Sequence, residues 1–465
     1  MRVLIGWFAL STISWGASVD RYWDITPYNI QILVDCRLSE TWNRQLEQSL
    51  PVYLKSRGRV SMGPLWKITI AQLPDDVAIS NDSNLAVFSD KAIKSVRTDF
   101  DKLIVVSLCE TTTGYTANAQ EYDCLLETWS QIWTLETRNQ AELQELAFDA
   151  TLQAFSPMAT FKVIRETPTK VEMSMKGSRL PRPEHTLPLL EEGQVFRPVL
   201  RRVDRTGQPV ENGIQPVPWT YLSTNALDGE TTTADIVSHT PIPMGVRQRG
   251  RVDQVAAFVR PGNRETRLKL YSRDEQQDPL AGFRVYQRDA GAEKGEFIGK
   301  TTDDGTIVVH HGETPIQVAF VQSSGQWIAK IPLVPGADGI IEAPVLDDSK
   351  RQEAEAKLVG IREQLIDYVA QRNIYASRAR MKIKAKDFTE ANRLIVMLEN
   401  IPSATAFDQQ HLRPSEQYIT SKDPQVQKRI TTLFSNTRDV LAQFLAPGLA
   451  QQLKRELAEA NAAAQ

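Results

Sequence analysis

The chain has 465 residues, 41% hydrophobic and 24% charged, which suits an ordinary globular protein of two to four domains. Its formal net charge is −3 and its lysines and arginines are scattered, so no overall basic field points to nucleic acid.

Residues 1–18 have the order of a secretory signal peptide. Arg2 supplies one positive charge, residues 3–13 are apolar, and Ser14, Gly16, Ala17 and Ser18 offer small side chains before Asp20. The apolar run is too short to cross a bilayer, and no later stretch is long and apolar enough to be a membrane helix. The expectation is an exported protein, periplasmic or secreted. No cysteine follows the apolar run to accept a lipid.

Residues 20–160 read as an α/β domain. Residues 28–35 (YNIQILVD) alternate as a strand, and Ser39 reads as the N-cap of a helix carrying Trp42, Leu46, Leu50 and Leu54, kinked at Pro51 and ending near Gly58. Strands are expected at 65–73 and 103–108, with a helix between them at 86–100. A hairpin with its tip near 115–118 then returns as one strand over 121–135. A helix over 142–155 stops before Pro157.

That hairpin sets Cys109 and Cys124 opposite each other. They either form a disulfide, as export permits, or remain two buried thiols, with Cys36 left over. No histidine precedes His185 to partner a catalytic cysteine.

No GxGxxG follows the first strand, and GxxxxGK[ST] and GxSxG are absent. Asp35-Cys36-Arg37-Leu38-Ser39 resembles the Asp-x-Ser-x-Ser loop of metal-dependent adhesion domains. Arg37 stands where the first serine belongs, so the ligand set is incomplete.

Residues 161–262 are Pro-rich, with short apolar runs cut by turns such as Asp204 to Gly207 and Leu227 to Gly229. They read as one all-β module, barrel-like, with a poorly structured insert over 230–250. His185 and His239 lack partners at metal-ligand spacing.

Residues 264–346 carry five runs: ETRLKLYS, DPLAGFRVYQRD, GEFIGKTTDDGTIVV, PIQVAFV and GQWIAKIPLV. Each is rich in Val, Ile, Phe and Tyr and bounded by turn residues, as in a small antiparallel β-sandwich. Pro279 to Val285 (PLAGFRV), followed by Gly299 to Gly305 (GKTTDDG), resembles the immunoglobulin-like sandwich of the transthyretin-like and carboxypeptidase-regulatory families. The resemblance implies a spacer or interaction surface and no active site. His310 and His311 are adjacent in a strand and point to opposite faces, so they do not share a metal.

Residues 349–465 read as a helical bundle. Ala354, Leu358, Ile361, Leu365 and Val369 form one stripe of a helix that runs to Lys384. A second helix begins at Lys386 to Ala391 (KDFTEA) and ends at Ile401-Pro402. A third follows Asp423-Pro424 after a loop and breaks at Pro447-Gly448. The KDFTEA pattern resembles the start of a tetratricopeptide-type helix, in a single copy, which makes a helical hairpin. The whole layout, with KDFTEANRLIVMLENIP, resembles large uncharacterised bacterial envelope proteins and implies a location without a chemistry.

The fold class is therefore multidomain α+β, and no catalytic, cofactor-binding or metal-binding set is identified. The expected function is an exported scaffold or binding protein of the cell envelope, acting through protein partners. The alternative is an exported hydrolase with its site in the α/β domain, drawn from Asp35, Glu110, Glu121 and Asp123. Arg197, Arg201, Arg202 and Arg205 are the densest basic patch and lack interleaved aromatics for stacking on bases, so no nucleic acid is expected.

Overall fold

The computed structural model describes residues 22–72, 78–80, 85–87, 99–205, 207, 209–228, 231–244, 251–274, 277–323 and 325–463. The expected signal peptide, 1–18, lies outside the described residues. The chain is multidomain, rich in β-sheet, with a closed six-stranded barrel and a helical C-terminal region.

The first sheet is built around β1 (Tyr28–Arg37). It pairs in parallel with β2 (Trp66–Gln72) on one side and β5 (Lys102–Thr111) on the other. A separate short hairpin joins β3 (Ala78–Ser80) and β4 (Leu85–Val87). The strand β4 falls within the helix expected over 86–100, whose remainder at 88–98 lies outside the described residues.

Antiparallel to β5 runs β6 (Gly114–Asp123), which also pairs with β7 (Thr128–Trp129) and β8 (Trp133–Thr137). The expected single strand over 121–135 is thus the end of β6 and two further strands. The helices α1 (Glu40–Met62) and α2 (Leu143–Ala154) cover one face, where Leu46, Leu50, Leu54 and Phe148 meet Ile30, Ile32, Ile104 and Val106. Pro51 sits inside α1, which continues past Gly58, and the Ser39 side chain makes no capping hydrogen bond.

The barrel contains β9 (Met158–Val163), β10 (Lys170–Met175), β11 (Val195–Val203), β12 (Pro209–Pro216), β13 (Thr220–Asp228), β14 (Thr231–Ser238) and β15 (Arg251–Val259). Six of them close in the order β11-β13-β14-β10-β9-β15, where β15 returns to β11, and β12 lies outside the ring against β11. The strand β14 replaces the first part of the insert expected over 230–250; 245–250 lie outside the described residues. Phe161, Met173, Phe196, Leu222 and Val255 belong to the same apolar cluster as the core beneath α1 and α2.

Seven strands follow: β16 (Glu265–Ser272), β17 (Arg284–Asp289), β18 (Glu296–Lys300), β19 (Thr306–His310), β20 (Gln317–Ser323), β21 (Gln326–Leu333) and β22 (Ile340–Val345). They form two sheets, β19-β16-β22 and β18-β17-β20-β21, around Leu268, Leu270, Val285, Val309, Val321 and Leu333. The turn before β19 needs Gly305: its φ is +77°, and a Cβ there would overlap the Leu270 carbonyl.

The C-terminal region begins with α3 (Ser349–Lys384), whose 36 residues span about 54 Å. Its first half packs Leu358, Ile361 and Leu365 against Ile430 and Phe434 of α5 (Pro424–Phe444). Its second half packs Ala376 and Ala379 against Leu394 and Ile395 of α4 (Phe388–Glu399) and Leu453 of α6 (Leu449–Ala462). The segment expected as a loop is helical over 404–418, with a π turn at Asp408–Leu412. Among the described residues no helix is long and apolar enough to cross a membrane.

Candidate functional site

Three places collect chemically useful side chains. The first is the carboxyl end of β1 and β2. A pocket of about 310 Å³ opens there beside α1, lined by Asp35, Cys36, Glu47 and Gln72 among apolar residues. Strand ends of open sheets are where ligands bind in α/β folds. The Asp35 carboxylate accepts from Arg37 Nε at 2.8 Å and from Ser107 Oγ at 3.3 Å. Burial, with Asp35 and Glu47 nearby, pushes the Cys36 thiol up to about 12, so it is no nucleophile at neutral pH. The pocket holds no activated nucleophile and base among the described residues.

The second place lies inside. Lys102 Nζ donates to Glu121 Oε1 and to Asp123 Oδ2, each at 2.7 Å, and all three side chains are buried. The remaining oxygens are also taken. Glu121 Oε2 accepts from Ser156 N at 2.9 Å, and Asp123 Oδ1 accepts from Leu125 N and Leu126 N. Beside them Lys176 Nζ donates to Asp101 Oδ1 at 2.5 Å, and Asp101 Oδ2 accepts from Asn29 N. Tyr28 joins the same layer, its hydroxyl accepting from Met158 N at 2.8 Å. Strands of the first sheet supply Lys102, Glu121 and Asp123, while Ser156, Met158 and Lys176 belong to the start of the barrel and its flanks.

Burial lowers the Lys102 ammonium's affinity for its proton, but Asp123 and Glu121 outweigh this and raise it above the ordinary lysine value. Two carboxylates share this one ammonium. Glu121 is the one left short: burial, with Asp123 adding to it against the pull of Lys102, raises its carboxyl to about 7. A cleft of about 280 Å³ passes beside Glu121 and Asp123. With all four oxygens hydrogen-bonded to the protein, the cluster is a joint.

Of the candidates Asp35, Glu110, Glu121 and Asp123, only Glu121 and Asp123 are brought together, on Lys102. Asp35 pairs with Ser107 and shares its face of the sheet, Glu121 and Asp123 lie on the opposite face with Ile104 and Lys102, and Glu110 is exposed near the hairpin tip. The tip falls between Thr111 and Gly114, which pairs Cys109 with Thr116 and leaves Cys124 just beyond Asp123. The two cysteines sit at opposite ends of the ladder, since Cys124 N donates to the Asp101 carbonyl, which is eight residues from Cys109 along β5 or roughly 27 Å. The Cys109–Cys124 bond considered from sequence is not formed, and all three cysteines are free.

Other sequence candidates are dispersed as well. His310 Nδ1 faces Glu265 at 3.5 Å, whereas His311 Nε2 lies 3.2 Å from the Asn263 carbonyl. Arg197 pairs with Asp338, and buried Arg201 with Asp253, while Arg202 and Arg205 are exposed. Among the described residues no group of three or more His, Cys, Asp or Glu is placed to hold a metal ion.

The third place is the outward face of the β18-β17-β20-β21 sheet. The register sets Phe297, Tyr286, Phe320 and Lys330 in one row across all four strands. Trp327 closes on Tyr286 and Phe320, with ring centroids 5.2 and 5.9 Å away, and Phe297 lies 5.3 Å from Tyr286. Arg284 lies 4.9 Å over the Phe297 ring and Arg288 4.5 Å over Phe320. Trp327 keeps 55% of its surface exposed and Phe297 45%, although both are large apolar side chains. Burial, with Arg288 adding to it, holds Lys330 below the ordinary lysine value. A groove of about 700 Å³ runs past Tyr286, Phe320 and Trp327. The sequence carries a trace of this face in the alternation Arg284, Tyr286, Arg288, but only the register brings in Phe297 and Trp327.

No protein-family model matches the chain, and no curated protein matches it. Among solved structures, similarity is found to TolB from Acinetobacter baumannii, at 12% identity and a TM-score of 0.19, over 69% of this chain and 96% of that one. The Bacillus anthracis TIE protein is similar at 11% identity and a TM-score of 0.15, over 46% of each chain. Likeness at this level carries no argument about fold or activity.

Proposed function

We propose that this chain is an exported, non-catalytic binding or scaffold protein of the bacterial cell envelope, with the outward face of the β18-β17-β20-β21 sheet as its docking surface. The observation that carries the reading is the exposure of Trp327 and Phe297 within a continuous aromatic and guanidinium cluster. Contiguous exposed aromatic surface is costly for a soluble protein and marks interaction sites. The interior charges support the same reading: Lys102, Glu121 and Asp123 satisfy one another and hold two modules together. Export rests on the charge, apolar core and small-residue order of residues 1–18.

A photo-crosslinking residue placed at Trp327 tests the docking surface, with the same residue at exposed Val52 of α1 as control. A discrete adduct from 327 in the cell envelope and none from 52 is expected. No adduct, or equal adducts at both, overturns the proposal. N-terminal sequencing of the mature protein tests export: an intact Met1 overturns it.

A further inference from the structure

The docking face is cationic as well as aromatic. Arg284 and Arg288 on β17, Lys300 at the end of β18 and Lys330 on β21 make no ion pair with any described carboxylate, although more than twenty pairs form elsewhere. Glu293 borders the groove but offers Arg288 only its backbone carbonyl, and Arg288 Nε is buried without a hydrogen-bond partner. An unpaired cation close to another cation is unfavourable and calls for an anion.

The spacing restricts what that anion is attached to. Arg284, Tyr286 and Arg288 follow one another at two-residue steps on one strand, so the guanidinium-bearing positions are about 13 Å apart, with an aromatic ring midway. An extended peptide laid along β17 has the same step. Acidic residues four apart reach both guanidinium groups, and the side chain between them meets Tyr286 and Trp327. Sugar rings and nucleobases recognise uncovered aromatic faces. Here Arg284 and Arg288 already lie over Phe297 and Phe320.

We infer that this face binds an extended acidic peptide segment of a partner protein, with carboxylates at positions i and i+4 on Arg284 and Arg288 and an apolar side chain at i+2 against Trp327. The inference rests on the docking surface proposed above and names its ligand class. Guanidinium–carboxylate pairing supplies charge-assisted, bidentate hydrogen bonds.

The probe is a fluorescein-labelled peptide containing Glu-Thr-Phe-Thr-Glu, titrated with the full chain and read by anisotropy. Saturable binding that weakens from low to high salt is expected, with no binding of Lys-Thr-Phe-Thr-Lys. Arg284→Gln and Arg288→Gln are each expected to lower affinity about tenfold, and Trp327→Ala is expected to lower it too, with unfolding midpoints unchanged. Failure of the acidic peptide to bind, or equal binding by all variants, overturns the inference. Polygalacturonate and single-stranded DNA are the parallel arms. If either binds through Trp327 and the peptide does not, the peptide inference falls and the docking surface stands. If none binds and the Trp327 crosslinker captures nothing, both fall.

Discussion

Lys102 stands directly opposite Asp123 in the β5–β6 ladder, and its ammonium lies 2.7 Å from that carboxylate, with both side chains buried. The same ammonium reaches Glu121 two residues back. The register of the hairpin and the satisfaction of three buried charges are thus one arrangement: sliding β6 by one residue would turn both carboxylates to the other face.

Removing the shared cation tests this. Lys102→Met leaves two buried carboxylates without a counter-charge and is expected to cost about 3–5 kcal/mol. The exposed pair Lys269–Glu342, at 3.1 Å, is the control: Lys269→Met is expected to cost less than about 1 kcal/mol. Urea unfolding followed by tryptophan fluorescence measures both.

The second prediction concerns pH. The Glu121 carboxyl is raised from 4.5 to about 7 in the fold. Between those values the folded chain holds a proton that the unfolded chain has released, so stability falls as pH rises through this window and levels off above it. One proton gives a slope of at most about 1.4 kcal/mol per pH unit. Glu121→Gln is expected to flatten the curve between pH 4.5 and 7, measured as urea midpoints across that range. An unchanged slope would place the proton elsewhere.

The thiols provide a third test. Cys109 and Cys124 are buried and unbonded, and the Cys36 thiol sits near 12. The native protein is expected to react with none of its three cysteines at pH 8 on the timescale of minutes, and the denatured, unreduced protein with all three. Intact mass after alkylation in denaturant reads the count, and a disulfide would show as one reactive thiol.

A fourth prediction contrasts two glycines. Gly336 has φ +80° and its carbonyl accepts from Gly262 N where the barrel's last strand leads into the sandwich, so a Cβ there would overlap the Asn263 carbonyl. Gly336→Ala is expected to lower stability by more than about 2 kcal/mol. Gly360, on the exposed side of α3, has nothing within 4 Å of a Cβ. Gly360→Ala is expected to raise stability by about 0.5–1 kcal/mol. Thermal unfolding separates the two signs.

Elements with strong local signals were legible. The runs that became β16 to β21 alternate and end at turn residues such as Asp304-Gly305, and α3, α4 and α5 carry apolar stripes with caps at Asp387 and Asp423. Elements with weak signals were not. The strand β14 reads TTTADIVS, and the helical stretch at 404–418 is polar and contains Pro414, so neither announces its period. The hairpin tip was misplaced because alternation gives the face of a strand and not its register.

The candidate sites divide along the same line. Sequence named Glu121 and Asp123 as acidic residues near a hairpin, but their partner Lys102 and their contact with Ser156 depend on long-range pairing. By itself the sequence determined which segments bury one face and where the chain turns, because those follow from local periodicity and backbone geometry. The tertiary structure alone decided which charges meet in the interior and which aromatic rings of four different strands gather on one uncovered face, because both are set by register between segments far apart in the chain.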